Sequence, residues 1–447
     1  VSQLKGTYKE IIVITLPLLL GNASHTLIAL TDTMFMSRLN EDALASVGYI
    51  SMFYMLLVVL GYSYTKSVQI QVAKRMGEQQ EHKIGNIIDS ALIIMFFAAL
   101  ILFSILYFFP TYFLKIFIDS PEIISTGKIF LHYRVPGIFF NYFGCVLIAY
   151  YTGIGKTIIP GISMVCMLLF NILFNYLLVF GHWGFPQMGV AGSGLASTLA
   201  ELISVLVLLI GIFFFGGIEK HQLLKFVKFD RQEVKELNHL GLPIVGQTAI
   251  GFVSWIYFFS CIENIMGKES LAVSNILRPV YQIFSVPAWS LANSVNTLVG
   301  NIRGQGLSDE IGKVAKRVMV VSVIVTLFTI LILLPFPRFW ITLISGQSSY
   351  VDQCIGPLWM ICVSMLVFAV AIIIFNVIVS IGSTRISLTI EITSIFLYLV
   401  YTYSVFHFMK PTLTFAWSTE IVYWVLIGIF SYYYLKKFDW KKKIRNT

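Results

Sequence analysis

An ionisable side chain at the centre of a membrane-spanning helix costs roughly 2.5–3.5 kcal/mol on insertion scales, so such a residue asks for a use. Asp32 is the strongest such candidate in this chain, in the stretch Leu27-Ile28-Ala29-Leu30-Thr31-Asp32-Thr33. A carboxylate placed there can lose its charge by taking up a proton or binding Na⁺. Pro17, upstream in the same apolar run, removes one backbone hydrogen bond and crowds the preceding turn, so a kink is expected. A kinked helix that carries the carboxylate can rearrange when the charge is neutralised. The plainer reading is a solvated Asp near a helix end, because Arg38, Glu41 and Asp42 follow shortly. His25 precedes Asp32 by two helical turns and shares its face; it can relay a proton, hydrogen-bond a substrate, or simply pack.

Asn171 and Asn175 are four residues apart, on one helix face. Their carboxamides can offer oxygens to Na⁺ or hydrogen-bond a carboxyl, and they can equally serve as interhelical glue. Ser193, Ser197 and Thr198, with Gly192 and Gly194, suit close helix packing first and ligand contact second. Three cations also fall inside apolar runs: Lys66, Arg134 and Arg278. Lys66 can pair with Asp32 or Asp89, or snorkel. Asp89 itself reads as a solvated residue near a helix start. Arg134 and Arg278 can bind carbonyls between helices or form gates. Glu201, Glu391 and Glu420 are further acids in apolar runs, ranked below Asp32 because no kink or polar cluster marks them as clearly. Pro243 is a second intrahelical proline.

The elements that must hold these residues are membrane helices. The chain has 447 residues, 57% hydrophobic and 12% charged, with a mean hydropathy of +0.83. A soluble protein of this length needs far more polar surface. The apolar runs reach about 20 residues, enough to cross a hydrocarbon core of about 30 Å, and no alternating pattern suggests a barrel. Twelve spans are expected: Glu10 to Met36, Ala43 to Ala73, Asn86 to Phe109, Ile129 to Thr152, Ile158 to Gly181, Gly189 to Phe215, Gly241 to Met266, Ser270 to Ile302, Val318 to Pro337, Ile355 to Ile381, Ile386 to Met409 and Leu413 to Leu435. The first run shows no cleavage site and is read as a retained helix. The aromatic residues of the whole chain, 37 Phe, 22 Tyr and 8 Trp, can face lipid, mark the interfaces or attract lipophilic cations.

Orientation follows from charge. With the N-terminus inside, the cytoplasmic segments carry 22 Lys and Arg and the outer loops six: Arg38, Lys115, Lys128, Lys268, Arg338 and Lys410. This places both termini in the cytoplasm of an inner or plasma membrane. The same rule accounts for the net charge of +9 without a nucleic-acid partner. The five cysteines are scattered through apolar segments and read as packing residues. There is no Walker A sequence, no His-Glu-x-x-His motif and no nucleophile elbow. The chain is therefore read as a non-enzyme without cofactor or metal, acting as a monomer in the bilayer on small molecules, with H⁺ or Na⁺ as the coupling ion.

The chain also repeats itself. A shift of 226 or 227 residues carries Leu16-Pro17 onto Leu242-Pro243, Leu44-Ala45 onto Leu271-Ala272, Gly77 onto Gly304, and Gly155 and Thr157 onto Gly382 and Thr384. An even number of helices per repeat relates the halves by an axis along the membrane normal. The expected organisation is a first lobe over residues 1–215, a cytoplasmic linker over 216–240, and a second lobe over 241–447 with a basic tail.

Three stretches carry a resemblance. Gly21 to Gly48, GNASHTLIALTDTMFMSRLNEDALASVG, resembles the helix 1–2 signature of the multidrug and toxic compound extrusion (MATE) family, although its outer turn lacks the family's glycines. The turn Gly153-Ile154-Gly155-Lys156-Thr157 with Pro160, and the hairpin NILFNYLLVFGHWGFPQMGVAGSG from Asn171 to Gly194, resemble the family as well. The resemblance implies two six-helix lobes forming a V and export of lipophilic, often cationic, drugs or metabolites by antiport with H⁺ or Na⁺. It implies ion coupling at Asp32. In some members the partner of the Asn171 position is an Asp four residues on, where this chain has Asn175. In others a Glu stands eight residues after the helix 7 proline, where this chain has Gly251. The chain is thus most similar to the DinF-like branch, with its coupling chemistry in the first lobe. A lipid or lipid-linked oligosaccharide flippase of the same superfamily is the alternative, and requires Arg134, Arg278 and Lys66 to line a cationic cavity.

Overall fold

The structure is a computed structural model that describes residues 3–39, 41–115, 120–214, 217–225, 230–345, 350–409, 411–438 and 440–441. Lys410, the middle of the expected linker and the Lys442 to Arg445 end of the basic tail lie outside the described residues. The described chain is helical, in the order α1 Tyr8–Ser37, α2 Glu41–Gly77, α3 Ile84–Phe108, α4 Pro110–Lys115, α5 Pro121–Arg134, α6 Gly137–Gly153, α7 Ile158–Phe180, α8 Val190–Phe214, α9 Gly217–His221, α10 Arg231–Cys261, α11 Lys268–Gly304, α12 Ile311–Leu333, α13 Pro337–Ser345, α14 Val351–Ser380, α15 Thr384–Phe408, α16 Leu413–Trp417 and α17 Thr419–Lys437.

Among the described residues, ten stretches are long and apolar enough to cross a membrane, and α5 with α6 form a further, bent span. The remaining expected span, the eighth, corresponds to α11, which at 37 residues has the length but is more polar than the others. Its polarity points inward: Ser290, Asn293, Ser294, Asn296, Thr297 and Asn301 are all buried. Many large apolar side chains are exposed instead, among them Ile101, Phe214, Phe328 and Phe396, which is the surface a bilayer covers. All five cysteines are free, and four are buried.

Two of the expected spans are broken. The fourth bends by 50° between α5 and α6, because Pro136 has no N–H to continue the ladder. The last is split at Ser418 into α16 and α17. Pro17 and Pro243, by contrast, lie inside the continuous helices α1 and α10.

The chain divides into two compact units. The first comprises Leu16–Arg75 and Gln79–Gly241; the second comprises Val1–Thr15, Met76–Glu78 and Leu242–Thr447. The division cuts α1 and α10 immediately before Leu16-Pro17 and Leu242-Pro243, the pair that the internal repeat superposes. Two details differ from the expected organisation. The N-terminal residues belong with the second unit because the Leu4 N–H donates to Asn301 Oδ1 at 2.9 Å and Gln305 Nε2 donates to Leu4 O at 2.8 Å. The 216–240 segment is also no loose linker where it is described. α9 is tied to the first unit, with His221 buried and its Nδ1 2.7 Å from the Tyr150 hydroxyl. Burial holds the His221 imidazole below its ordinary pKa. Asp89 is buried rather than solvated and accepts from the Leu224 N–H at 3.0 Å.

In the first unit, the α7–α8 hairpin sets the frame for the polar residues. Gly181 ends α7 in the left-handed region (φ 75°), where glycine carries no steric penalty. The chain then returns alongside α7, with Met188 N–H donating to Leu178 O at 2.8 Å. Gly192 lets the two helices approach closely, since a Cβ there would lie 2.6 Å from Leu178 O. Gly192→Ala should therefore destabilise the protein by about 1–3 kcal/mol, the usual cost of overpacking. Thermal unfolding in detergent checks this, and an unchanged midpoint would show that the contact relaxes freely.

Candidate functional site

Every residue of the site comes from the first unit. Asp32 lies on α1, half-buried. Its Oδ1 accepts from Asn175 Nδ2 at 2.8 Å, and its Oδ2 from the Ser197 hydroxyl at 3.4 Å. Asn175 is on α7, and its Nδ2 also reaches Asn171 O at 3.0 Å and Asn171 Oδ1 at 3.3 Å. Asn171 Nδ2 in turn donates to Ser197 Oγ at 3.2 Å. Three helices thus close a ring of one carboxylate, two carboxamides and one hydroxyl. The i, i+4 spacing of the asparagines puts both on the same face of α7, and the hairpin brings Ser197 of α8 against them.

One atom of the ring stands out. Asn175 Oδ1 is buried and has no hydrogen-bond partner. An unfilled acceptor beside a carboxylate is suited to an incoming donor or cation, since leaving it empty costs desolvation without a bond in return.

A second charged group lies next to this ring. Arg134, the last residue of α5, makes a bidentate pair with Glu201 of α8: Nη1 to Oε2 is 2.8 Å and Nη2 to Oε1 is 2.7 Å. Asn141 Nδ2 adds a bond to Glu201 Oε1 at 3.1 Å. The guanidinium lies over the Tyr54 ring, 4.1 Å from its centroid, a favourable cation–π placement. The α5–α6 break positions it. At the break the Thr198 hydroxyl donates to Tyr133 O at 2.9 Å and lies 3.3 Å from Arg134 O, filling acceptors that the bend leaves open. Arg134 and Asp32 also interact electrostatically.

The structure thus brings together Asp32, Asn171, Asn175 and Ser197, with Arg134 beside them. It does not bring in His25, which is exposed and makes no hydrogen bond to the ring. Lys66 is half-buried on α2. Arg278 belongs to the second unit, where its guanidinium lies 5.9 Å from the Phe259 ring centroid. Glu201, ranked low from sequence, has the fullest set of polar partners among the acids of the first unit. Its signal was the 193, 197, 201 spacing, which aligns it with Ser193 and Ser197 on one face of α8.

The MatE family profile matches twice, over residues 17–177 and 243–404. The chain belongs to the MatE family. The two matches begin on Pro17 and Pro243, so the family pattern repeats with the same offset as the landmarks. The chain is 26% identical over 335 residues to a probable multidrug resistance protein NorM of Thermotoga maritima, covering 74% of this chain and 71% of that one. It is 24% identical over 294 residues to a probable multidrug resistance protein NorM of Listeria monocytogenes, covering 66% of this chain and 64% of the relative. The match therefore spans somewhat less than two thirds of that second relative. In fold, the chain resembles a crystal structure of a MATE protein in complex with MaL6, with a TM-score of 0.88 at 17% identity, covering 98% of this chain and 97% of that one. At that identity the likeness concerns fold alone. Within this MatE chain, Asp32, Asn171 and Asn175 of the ring lie in the first matched segment, and Ser197 lies between the two segments.

Proposed function

We propose that this MatE protein is a secondary active multidrug exporter, an integral protein of the cytoplasmic membrane with both termini inside. It moves lipophilic, often cationic, compounds outward in exchange for H⁺ or Na⁺, with Asp32 as the coupling group. The observation that carries this reading is the Asp32–Asn175–Ser197–Asn171 ring with the unfilled acceptor at Asn175 Oδ1. Protonation or Na⁺ binding neutralises Asp32 and changes which conformation is favoured; only such a difference in affinity between states turns binding into transport. A proton needs the carboxyl alone. Na⁺ needs several oxygens, of which Asn175 Oδ1 and Asn171 Oδ1 are the nearest supply, so the proton is the simpler ion here. Membership in MatE and the names of the relatives support small-molecule export.

The flippase alternative asks for free cations to meet a pyrophosphate headgroup. Arg134 does not offer one, because Glu201 holds it with two charge-assisted bonds. That commitment favours the exporter.

The test is ethidium efflux from proteoliposomes under an imposed pH gradient or, separately, a Na⁺ gradient. We expect uphill efflux under the pH gradient. Absence of uphill efflux under both gradients, from folded protein, would reject the antiport reading.

A further inference from the structure

The second unit holds two carboxylates that the proposed mechanism does not use. Glu391 is on α15 and Glu420 on α17, and both are buried. Each accepts from a tyrosine of the opposite helix. The Tyr423 hydroxyl of α17 donates to Glu391 Oε1 at 2.6 Å, and the Tyr398 hydroxyl of α15 donates to Glu420 Oε1 at 3.3 Å. The two tyrosine rings meet with centroids 5.7 Å apart. The result is a crosswise exchange in which each helix supplies one acid and one phenol.

Two further observations point to a ligand. Around Glu420, three buried polar atoms have no well-formed hydrogen bond: Thr402 Oγ1 one turn from Tyr398, Trp424 Nε1 one turn from Glu420, and Ser364 Oγ on α14. Thr402 neighbours the Tyr398 side chain, and Ser364 and Trp424 neighbour Tyr281 of α11, which itself interacts with Glu420. The internal repeat supplies the second observation. A shift of 227 residues carries Asn171, Asn175, Ser193 and Ser197 onto Tyr398, Thr402, Glu420 and Trp424. The α15–α17 seam therefore stands where the α7–α8 side of the Asp32 ring stands in the first unit. On the same count Asp32 maps onto Phe259. The repeat has kept a carboxylate but moved it from its first helix to its last.

We propose that Glu420, with Tyr398, Tyr423 and Glu391, forms a second protonation site, located in the second unit and binding one proton. Glu420 forms no ion pair among the described residues, and the titratable groups that interact with it are Tyr398 of α15, Tyr281 of α11 and Tyr423 of α17, the last of which also donates to Glu391. A bare carboxylate charge in that setting is poorly solvated, and a proton on its Oε removes the charge while the Tyr398 hydroxyl turns to accept it. A metal ion fits less well, since no group of three His, Cys, Asp or Glu converges among the described residues. This inference goes beyond the proposed export function and stands whether or not Asp32 is the coupling group.

Infrared difference spectroscopy of the purified full chain, stepped between acidic and basic pH, reads the site without transport. We expect a protonated-carboxyl C=O band that is lost in Glu420→Gln, shifted in Tyr398→Phe and retained in Asp32→Asn. A band unchanged in folded Glu420→Gln would overturn the proposal. So would its disappearance on adding Na⁺ at constant pH, which would mean a cation displaces the proton. Should Glu420→Gln not fold, Tyr398→Phe decides alone, because it removes one hydroxyl and keeps the ring; an unshifted band then rejects the site.

Discussion

Asp32→Asn should abolish uphill, gradient-driven efflux while leaving the protein folded and able to pass dye down its own gradient. The substitution is nearly isosteric. Asn keeps an oxygen to accept from Asn175 Nδ2, now at 2.8 Å from Asp32 Oδ1, and its new amide faces a Ser197 hydroxyl that can accept as well as donate. The ring survives and only the ionisable charge is lost. An ion shifts the balance between two conformations only by its differential affinity for them, and useful coupling is worth about 1–3 kcal/mol. With nothing to protonate, that free energy goes to zero. Efflux of ethidium under imposed pH and Na⁺ gradients, compared with downhill release from preloaded liposomes, separates the two behaviours. Uphill efflux that persists in Asp32→Asn would remove Asp32 from the mechanism.

Half of this site could be read from the sequence, and the reason is periodicity. Asn171 and Asn175 show their common face by spacing alone, and Asp32 stands out as a charge in an apolar run. The join between them did not show. Asp32 and Asn175 are 143 residues apart, and no local spacing tells which helices adjoin. The Arg134–Glu201 pair escaped for the same reason, with partners 67 residues apart on α5 and α8. Pro136 was visible in the sequence but lay inside an otherwise continuous apolar run, so the bend that aims Arg134 at Glu201 was hidden. His25 shows the converse limit. Seven residues from Asp32 do give a shared face, but two turns of helix put it about 10 Å away along the axis, too far to join the ring. The polar α11 was legible as a long helix because its length and the repeat outweighed its composition.

The pair of Arg134 and Glu201 supports the second large prediction, a double-substitution cycle. Arg134→Met should cost about 3–5 kcal/mol, because Glu201 would remain buried with Asn141 as its only polar partner. Glu201→Leu should cost a similar amount, leaving the guanidinium over Tyr54 without a counter-charge. The double variant Arg134→Met/Glu201→Leu should recover most of that loss, since two apolar side chains of similar bulk need no desolvation of charge. Thermal unfolding in detergent gives the three midpoints. Additive losses in the double variant would mean that each side chain has its own anchor and that the pair is not a unit. Recovery would carry a consequence for transport. Stability would then be restored in a protein that has lost a positive charge interacting with Asp32. Any remaining defect in efflux would measure what Arg134 does to Asp32 by its field, separated from what it does to the fold by its bonds.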